Sequence, residues 1–257
     1  GYLMGGGVGL FMGASHRVAE TTTRFAMPEI KIGLYPDVGA TYFLNQLPKH
    51  LALFLSLTAC QINATDMKAL GLSQWIAKPE SKQALLDLLA SVSWKGEANI
   101  NEKIATVLRS VQVDEPSEGM LMSYAGLIEQ LCSGDLDSIV RAISSADVDD
   151  KWFINAQKAL NYGSPLSLNI TYQQLTQYQN LSLKACFDME FNLTLRCGLE
   201  GDFREGVRAL IIDKTNQPTW QHRTVSDVTP QVLERFFAPI DSAEYPLTAS
   251  SVATVAL

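Results

Sequence analysis

A run of glycines near the start of the chain is the feature that most restricts its fold. Positions 5–9 read Gly-Gly-Gly-Val-Gly, between the apolar residues at 2–4 and an apolar segment that continues to position 14. Glycine adopts backbone conformations that other residues avoid, and it lets another group approach the main chain closely. We therefore predict a strand, a glycine turn and a helix over 8–14, buried because almost every side chain in it is apolar.

Short strands and helices alternate from there to about residue 80. Strands are predicted where β-branched and apolar residues dominate, at 17–19, 21–26 and 75–77. Helices are predicted at 40–47, at 50–57 and from Thr65, which is placed as an N-cap. This alternation is typical of an α/β layer.

Apolar residues at helical spacing dominate after Pro79. The predicted helices lie at 81–92, 102–111, 119–132, 136–144, 164–178, 182–199 and 206–212. Ser164 before Pro165 predicts a helix start, and Asp202 with Glu205 forms a variant of the capping box. We predict two regions, an α/β part at 1–80 and a mainly helical part at 81–257.

Composition excludes several classes of partner and site. Hydrophobic residues make up 47% of the chain, but no run approaches the roughly 18 apolar residues of a membrane span. The net charge of -7 argues against nucleic acid or an anionic membrane as the main partner. The four cysteines form no CxxC pair and have no histidines between them, so we predict reduced, buried thiols in an intracellular protein and no metal site.

Common nucleotide and hydrolase motifs are absent from the glycine run. Counting from Gly5 or Gly7, the third glycine of GxGxxG would fall on Leu10 or Met12. Neither GxxxxGK[ST] nor GxSxG occurs in the sequence. A Rossmann dinucleotide site, a P-loop and a serine-hydrolase elbow are therefore not supported.

Two carboxylates eight residues apart follow the glycines. Glu29 and Asp37 lie in the segment 27–39, which two prolines punctuate. A glycine N–H, with Gly6 the best placed, could bind a developing oxyanion, and the carboxylates could act as nucleophile, base or acid. The residues alone leave plainer interpretations open: close helix–strand packing for the glycines, a surface position for Glu29 and a turn-capping side chain for Asp37.

Taken together, these segments resemble the enoyl-CoA hydratase/isomerase (crotonase) superfamily. The glycine triplet with its apolar helix, 25–29 and 33–39 carry the resemblance, which returns at 164–168, 202–209, 212–214 and 218–220. It covers nearly the whole chain and is weakest between about 80 and 160. It implies an α/β fold: a partial crotonase-type ββα spiral core followed by a mainly helical C-terminal region.

One position separates the activities within this superfamily. Hydratases carry a first catalytic Glu two residues after the glycine triplet and dienoyl-CoA isomerases an Asp, whereas this chain has Gly9. Glu29 matches the other catalytic acid of the superfamily. Asp37 matches the second acid of the thioester-hydrolase branch, although dienoyl-CoA isomerases also carry an Asp there. Within the superfamily the chain is therefore most similar to the hydrolases.

The resemblance implies hydrolysis of a short β-hydroxyacyl-CoA thioester, namely 3-hydroxyisobutyryl-CoA to 3-hydroxyisobutyrate and CoA, as in valine breakdown. Gly6 would bind the thioester oxygen, Glu29 would attack the carbonyl or activate water, and Asp37 would hold the 3-hydroxyl and assist the leaving group. No metal or other cofactor is implied, because coenzyme A is part of the substrate. The alternatives are an enoyl-CoA hydratase or dienoyl-CoA isomerase, and a non-catalytic acyl-CoA-binding protein.

The expected partner is an acyl-CoA substrate, and we expect neither nucleic acid nor a membrane as a partner. Assembly into a homo-oligomer is left open. The expected compartment is the cytoplasm for a bacterial source and the mitochondrial matrix for a eukaryotic one. Members of the superfamily also have an earlier part of the spiral, which supplies a second oxyanion N–H and much of the coenzyme A pocket. We therefore expect the chain to be incomplete at its N-terminus.

Overall fold

The structure is a computed structural model that describes residues 1–95, 99–114 and 117–240. The last part of the predicted helical region, 241–257, lies outside the described residues. The described residues contain four short strands: β1 (Tyr2–Met4), β2 (Val18–Glu20), β3 (Arg24–Ala26) and β4 (Trp75–Ala77). They match the predicted strand positions.

Helices make up most of the rest of the described chain. In order they are α1 (Gly6–Met12), α2 (Ala40–Leu44), α3 (Lys49–Thr58), α4 (Ala64–Ala69), α5 (Ser81–Ser91), α6 (Ile100–Val111), α7 (Ala125–Leu131), α8 (Leu136–Ser145), α9 (Lys151–Tyr162), α10 (Pro165–Gln177), α11 (Leu183–Leu199), α12 (Phe203–Val207) and α13 (Pro230–Phe237). Short 3₁₀ segments lie at Glu29–Ile32, Met122–Tyr124 and Val225–Asp227, and a π-helical turn at Arg208–Ile212 follows α12. The sequence pattern did not predict α9 or α13.

The strands pair in parallel, β1 with β3 and β2 with β4. Leu3 lies opposite Phe25, and Met4 opposite Ala26. Because parallel strands end at the same edge, the glycine turn after β1 and the segment after β3 leave the sheet side by side. This register brings the beginning of α1 next to residue 29.

The prediction that the first helix is buried is wrong for most of α1. Val8 is its only fully buried residue, and Leu10 is 85% exposed. The helix contacts β1, and Phe11 and Met12 are partly buried against the core. The run of apolar residues in this helix therefore does not correspond to complete burial, and the Leu10 side chain is left exposed.

Two helix starts differ from the predicted caps. Asn63, not Thr65, caps α4: its Oδ1 accepts a hydrogen bond from the Asp66 N–H (2.9 Å), and the reciprocal bond completes a capping box. Asp202 precedes α12, but its side chain makes no cap bond. Its carboxylate instead accepts hydrogen bonds from the Ser164 hydroxyl (2.6 Å) and the Gln221 N–H (2.9 Å). Tertiary partners outcompete the local cap because the side chain is buried.

The cap at Ser164 is confirmed. Its hydroxyl accepts a hydrogen bond from the Ser167 N–H (3.0 Å), and Pro165 occupies the first position of α10. Proline is tolerated there because that N–H has no acceptor within the helix.

Apolar packing crosses the predicted boundary at residue 80. One cluster of buried side chains runs from Val8 to Val225, and α3 at its centre packs against α7, α9 and α10. A second cluster joins Tyr35 to Leu193 and Phe236. The two segments share a core, and the division at residue 80 stays a prediction.

All four cysteines are buried and unpaired, as predicted. Among the described residues, no helix combines the length and the hydrophobicity needed to cross a membrane.

The segment 29–39 is packed tightly against the C-terminal helices. The Ser164 N–H donates to the Ile30 carbonyl (3.0 Å), and the Cα of Gly206 rests against the main chain of Ile32. A side chain at position 206 would overlap the Ile32 carbonyl group. Gly206 is thus needed for a close approach between two backbones.

Replacing Gly206 with Ala should destabilise the protein by about 1–3 kcal/mol, because the added methyl group overpacks a backbone contact. The matched control is Gly198→Ala on α11, where an added Cβ meets nothing within 4 Å. That change should stabilise the protein by up to about 1 kcal/mol through helix propensity. Denaturant unfolding of both variants measures the difference, and equal stabilities would contradict the packing described.

Candidate active site

The glycine turn and Glu29 lie next to each other. Gly5 has a left-handed φ of 54°, which glycine adopts without strain. A Cβ built on Gly5 would lie 3.6 Å from Oε1 of Glu29. The parallel register of β1 and β3 produces this contact, so two features that are distant in sequence form one site.

Glu29 begins the 3₁₀ segment after β3 and is 4% exposed. Its Oε2 is buried and accepts no hydrogen bond from the described residues. The pKa of this carboxyl is raised from 4.5 to about 8, mainly by burial and to a smaller extent by the nearby charge of Asp37. A buried carboxyl with a free oxygen beside a glycine turn is suited to react with a bound ligand.

Four carboxylic side chains are buried in the described part of the chain, and Glu29 differs from the other three. Asp66, Glu190 and Asp202 each accept two or more hydrogen bonds from main-chain N–H groups or a hydroxyl of distant segments. Such contacts anchor loops. Among the described residues, Oε2 of Glu29 accepts no hydrogen bond, so the side chain does not anchor a loop through that oxygen.

Gly6 opens α1 and is exposed. The first internal bond of the turn is donated by the Val8 N–H to the Gly5 carbonyl (2.9 Å). In the part of the chain that the structure describes, the N–H of Gly6 donates no hydrogen bond. This donor is free to bind an oxygen of a ligand that lies beside Glu29.

Asp37 lies on the turn that leads into α2 and is half-buried. Burial raises the pKa of this carboxyl. The Asp37 side chain does not cap α2, because Gly39 is the N-cap and the carboxylate of Glu190 takes the N–H groups of Gly39 and Thr41. The interpretation of Asp37 as a turn-capping side chain stays a prediction.

Val38 explains why position 9 carries no side chain. Its φ of 55° is unusual for a β-branched residue and costs about 1–3 kcal/mol. In this conformation Val38 fills the space above Gly9: a Cβ built there would lie 2.7 Å from the Val38 Cβ and 2.8 Å from its carbonyl oxygen. A glutamate or aspartate at position 9 would not fit against this turn.

An apolar cavity of about 480 Å³ lies beside the turn. Its lining includes Gly9, Val38, Tyr42, Leu183 and Phe187. The cavity therefore adjoins the Asp37 segment and ends at α11.

The sequence did not single out Glu190 or Gln174. Gln174 donates through Nε2 to the Pro36 carbonyl (3.2 Å) and to the Thr41 hydroxyl (2.8 Å). A signal was present for Glu190, because it falls at helical spacing between buried residues such as Cys186 and Leu193. A charged residue within an apolar helix face predicts a buried partner.

The profile of the enoyl-CoA hydratase/isomerase family matches residues 1–237. Among curated proteins, the 3-hydroxyisobutyryl-CoA hydrolase, mitochondrial, of Danio rerio is 33% identical over 249 residues, which is 96% of this chain and 64% of that protein. The human protein of the same name is 32% identical and is covered to 63% of its length. The chain spans less than two thirds of these relatives.

Two solved structures have the same fold. An enoyl-CoA hydratase from Rhodobacter sphaeroides matches with a TM-score of 0.79 at 30% identity, over 93% of this chain and 66% of that one. A carnitinyl-CoA dehydratase from Mycobacterium thermoresistibile has the same TM-score at 28% identity and the same coverage. The expected fold class, a partial spiral core with a helical C-terminal region, is confirmed.

Gly9→Ala should destabilise the protein by about 1–3 kcal/mol, because the methyl group collides with Val38. Gly7→Ala on the same helix is the control, since its Cβ would approach only the Leu3 side chain at 3.9 Å. It should be neutral or slightly stabilising. Thermal unfolding compares the two, and a neutral Gly9→Ala would show that Val38 does not fill this space.

Glu29→Gln should stabilise the protein at high pH. Because the folded pKa of about 8 lies above 4.5, the folded state binds more protons between these values, and the wild type loses unfolding free energy as pH rises through them. At pH 9 the variant should be more stable by on the order of 4 kcal/mol, and near pH 4 the two should converge. Denaturant unfolding across pH measures this, with the exposed Glu129→Gln as a control. A difference independent of pH would contradict the buried carboxyl.

Proposed function

The chain belongs to the enoyl-CoA hydratase/isomerase (crotonase) family, and we propose that it hydrolyses a short β-hydroxyacyl-CoA thioester, with 3-hydroxyisobutyryl-CoA as substrate. The observation that carries the proposal is the buried carboxyl of Glu29 beside the glycine turn, whose Oε2 has no hydrogen-bond partner among the described residues, with no room for a second acid at Gly9. The names of the curated relatives support the choice of substrate.

In the proposed reaction, the thioester oxygen accepts a hydrogen bond from the Gly6 N–H. As the carbonyl carbon becomes tetrahedral, charge develops on that oxygen and the bond strengthens. A donor of this kind typically lowers the barrier by about 3 kcal/mol. The exposed position of the Gly6 N–H gives a substrate access to it.

Glu29 then acts in its ionised form. It either attacks the carbonyl to form a mixed anhydride, which water hydrolyses, or it removes a proton from an attacking water. The raised pKa fits both routes, because a carboxylate that is poorly solvated before the reaction is a stronger nucleophile and base.

Asp37 supplies the contact with the substrate's 3-hydroxyl and assists proton transfer to the departing thiol. Its half-buried carboxyl lies close enough to Glu29 to raise that residue's pKa. In the proposed reaction no metal or redox cofactor takes part, and coenzyme A enters as part of the substrate. For a eukaryotic source we propose a mitochondrial location, on the names of the relatives, and for a bacterial source the cytoplasm.

A second candidate function is addition or removal of water at an enoyl-CoA. The solved neighbours named enoyl-CoA hydratase and carnitinyl-CoA dehydratase favour it. The packing of Val38 on Gly9 argues against it, because such chemistry in this family uses an acid at that position. Ultraviolet absorbance of enoyl-CoA substrates distinguishes the two activities, and binding without turnover would indicate an acyl-CoA-binding protein.

We expect the full-length protein to release free thiol from 3-hydroxyisobutyryl-CoA. Glu29→Gln should lower kcat/KM by about 10²- to 10⁴-fold, and Asp37→Asn should lower it by a similar or smaller factor. The wild-type kcat/KM should rise with pH and level off above about 8, because Glu29 must be ionised in the free enzyme.

A Glu29→Gln variant that keeps most of its turnover would refute the assignment. Single turnover in labelled water separates the two routes: the label enters Glu29 if an anhydride forms, and only the product if water attacks directly. An exposed glutamate variant, Glu129→Gln, controls for charge removal.

A further inference from the structure

A buried carboxylate from the C-terminal part of the chain holds the turn that follows Asp37. Glu190 lies on α11 and is 3% exposed. Its Oε2 accepts a hydrogen bond from the Gly39 N–H (2.7 Å), and its Oε1 accepts one from the Thr41 N–H (3.0 Å). Both oxygens are therefore committed to the main chain of a segment about 150 residues away.

The conformation of that turn needs external support. Val38 and Gly39 are consecutive residues with left-handed φ values of 55° and 84°. Glycine tolerates this region, but a β-branched residue does not unless its surroundings fix it. The bond from the Gly39 N–H to Glu190 fixes the peptide group that directly follows Val38.

The same helix also holds the residues before Asp37. The Tyr35 hydroxyl donates to the Glu190 carbonyl (2.6 Å) and lies 2.7 Å from the Thr194 hydroxyl. Asp37 is thus the one carboxylate on a short turn that α11 contacts on both sides. If α11 shifted, its contacts with this turn would move Asp37 relative to Glu29.

We propose that Glu190 is a positioning residue, which holds the Asp37–Gly39 turn so that the Asp37 carboxylate faces the substrate beside Glu29. This inference rests on the proposed function, since hydrolysis is the reaction that it serves. Glu190 touches no reacting atom, because both of its oxygens are occupied by main-chain N–H groups.

Glu190→Gln tests the proposal directly. A glutamine keeps one acceptor oxygen, but its amide NH₂ group cannot accept the second N–H, so one of the two bonds is lost. We expect kcat/KM to fall about 10- to 100-fold, the range that follows from misplacing a catalytic group. The matched control is Asp188→Asn on the same helix, an exposed acid that pairs with Lys184 and should leave kcat/KM unchanged.

A double-mutant cycle separates positioning from general stability. If Glu190 acts through Asp37, Glu190→Gln should change kcat/KM little in the Asp37→Asn background, because the group it positions is already disabled. Equal losses in the wild-type and Asp37→Asn backgrounds would overturn the proposal.

Amide hydrogen exchange tests the contact without substrate. Exchange of the Gly39 and Thr41 amides should be slow in the wild type, faster in Glu190→Gln and unchanged in Asp188→Asn. Unprotected amides in the wild type would overturn the proposal even if Glu190→Gln does not fold. If the wild type hydrolyses no CoA thioester, the proposed function fails, whereas the exchange data still show whether Glu190 holds the turn.

Discussion

Parallel pairing of β1 with β3 is the contact on which the candidate site depends. Each strand has three residues, and the register places Met4 opposite Ala26. Everything that follows the two strands therefore begins at one edge, with the glycine turn on one side and Glu29 on the other. A change of register by one residue would separate the Gly6 N–H from the carboxyl, because adjacent residues point to opposite faces of a sheet.

Buried carboxylates have two different roles in this protein. Asp66, Asp202 and Glu190 act as anchors: each accepts hydrogen bonds that tie distant segments together, and the bonds compensate for the loss of water. Glu29 lacks such compensation at Oε2. We therefore expect the protein to be less stable at high pH than it would be with a neutral side chain there, a pattern expected where reactivity is favoured over stability.

The strained turn at Val38 connects an anchoring carboxylate, Glu190, with the candidate site around Glu29. Its left-handed backbone removes the room for a side chain at Gly9 and presents Asp37 near Glu29. The turn keeps this conformation because Glu190 and Gln174 hold its main chain from the C-terminal helices. The helical region thus does more than cover the core, since it sets the geometry of a segment that lies far from it in sequence.

The sequence by itself determined the alternation of strands and helices and most helix limits, because short-range patterns encode them. It also singled out Gly6, Glu29 and Asp37 as candidate site residues through recognisable segments. Only the tertiary structure decided which buried acids hold distant segments by hydrogen bonds, and which one, Glu29, has an oxygen without a partner among the described residues. Asp202 has the local context of a cap yet bonds to Ser164, and Glu190 lies in a helix pattern yet holds a turn about 150 residues away. The sequence likewise did not predict that the apolar side chain of Leu10 is exposed. Hydrogen-bond partners and burial depend on long-range packing, and no local spacing specifies which distant segment will arrive beside a side chain.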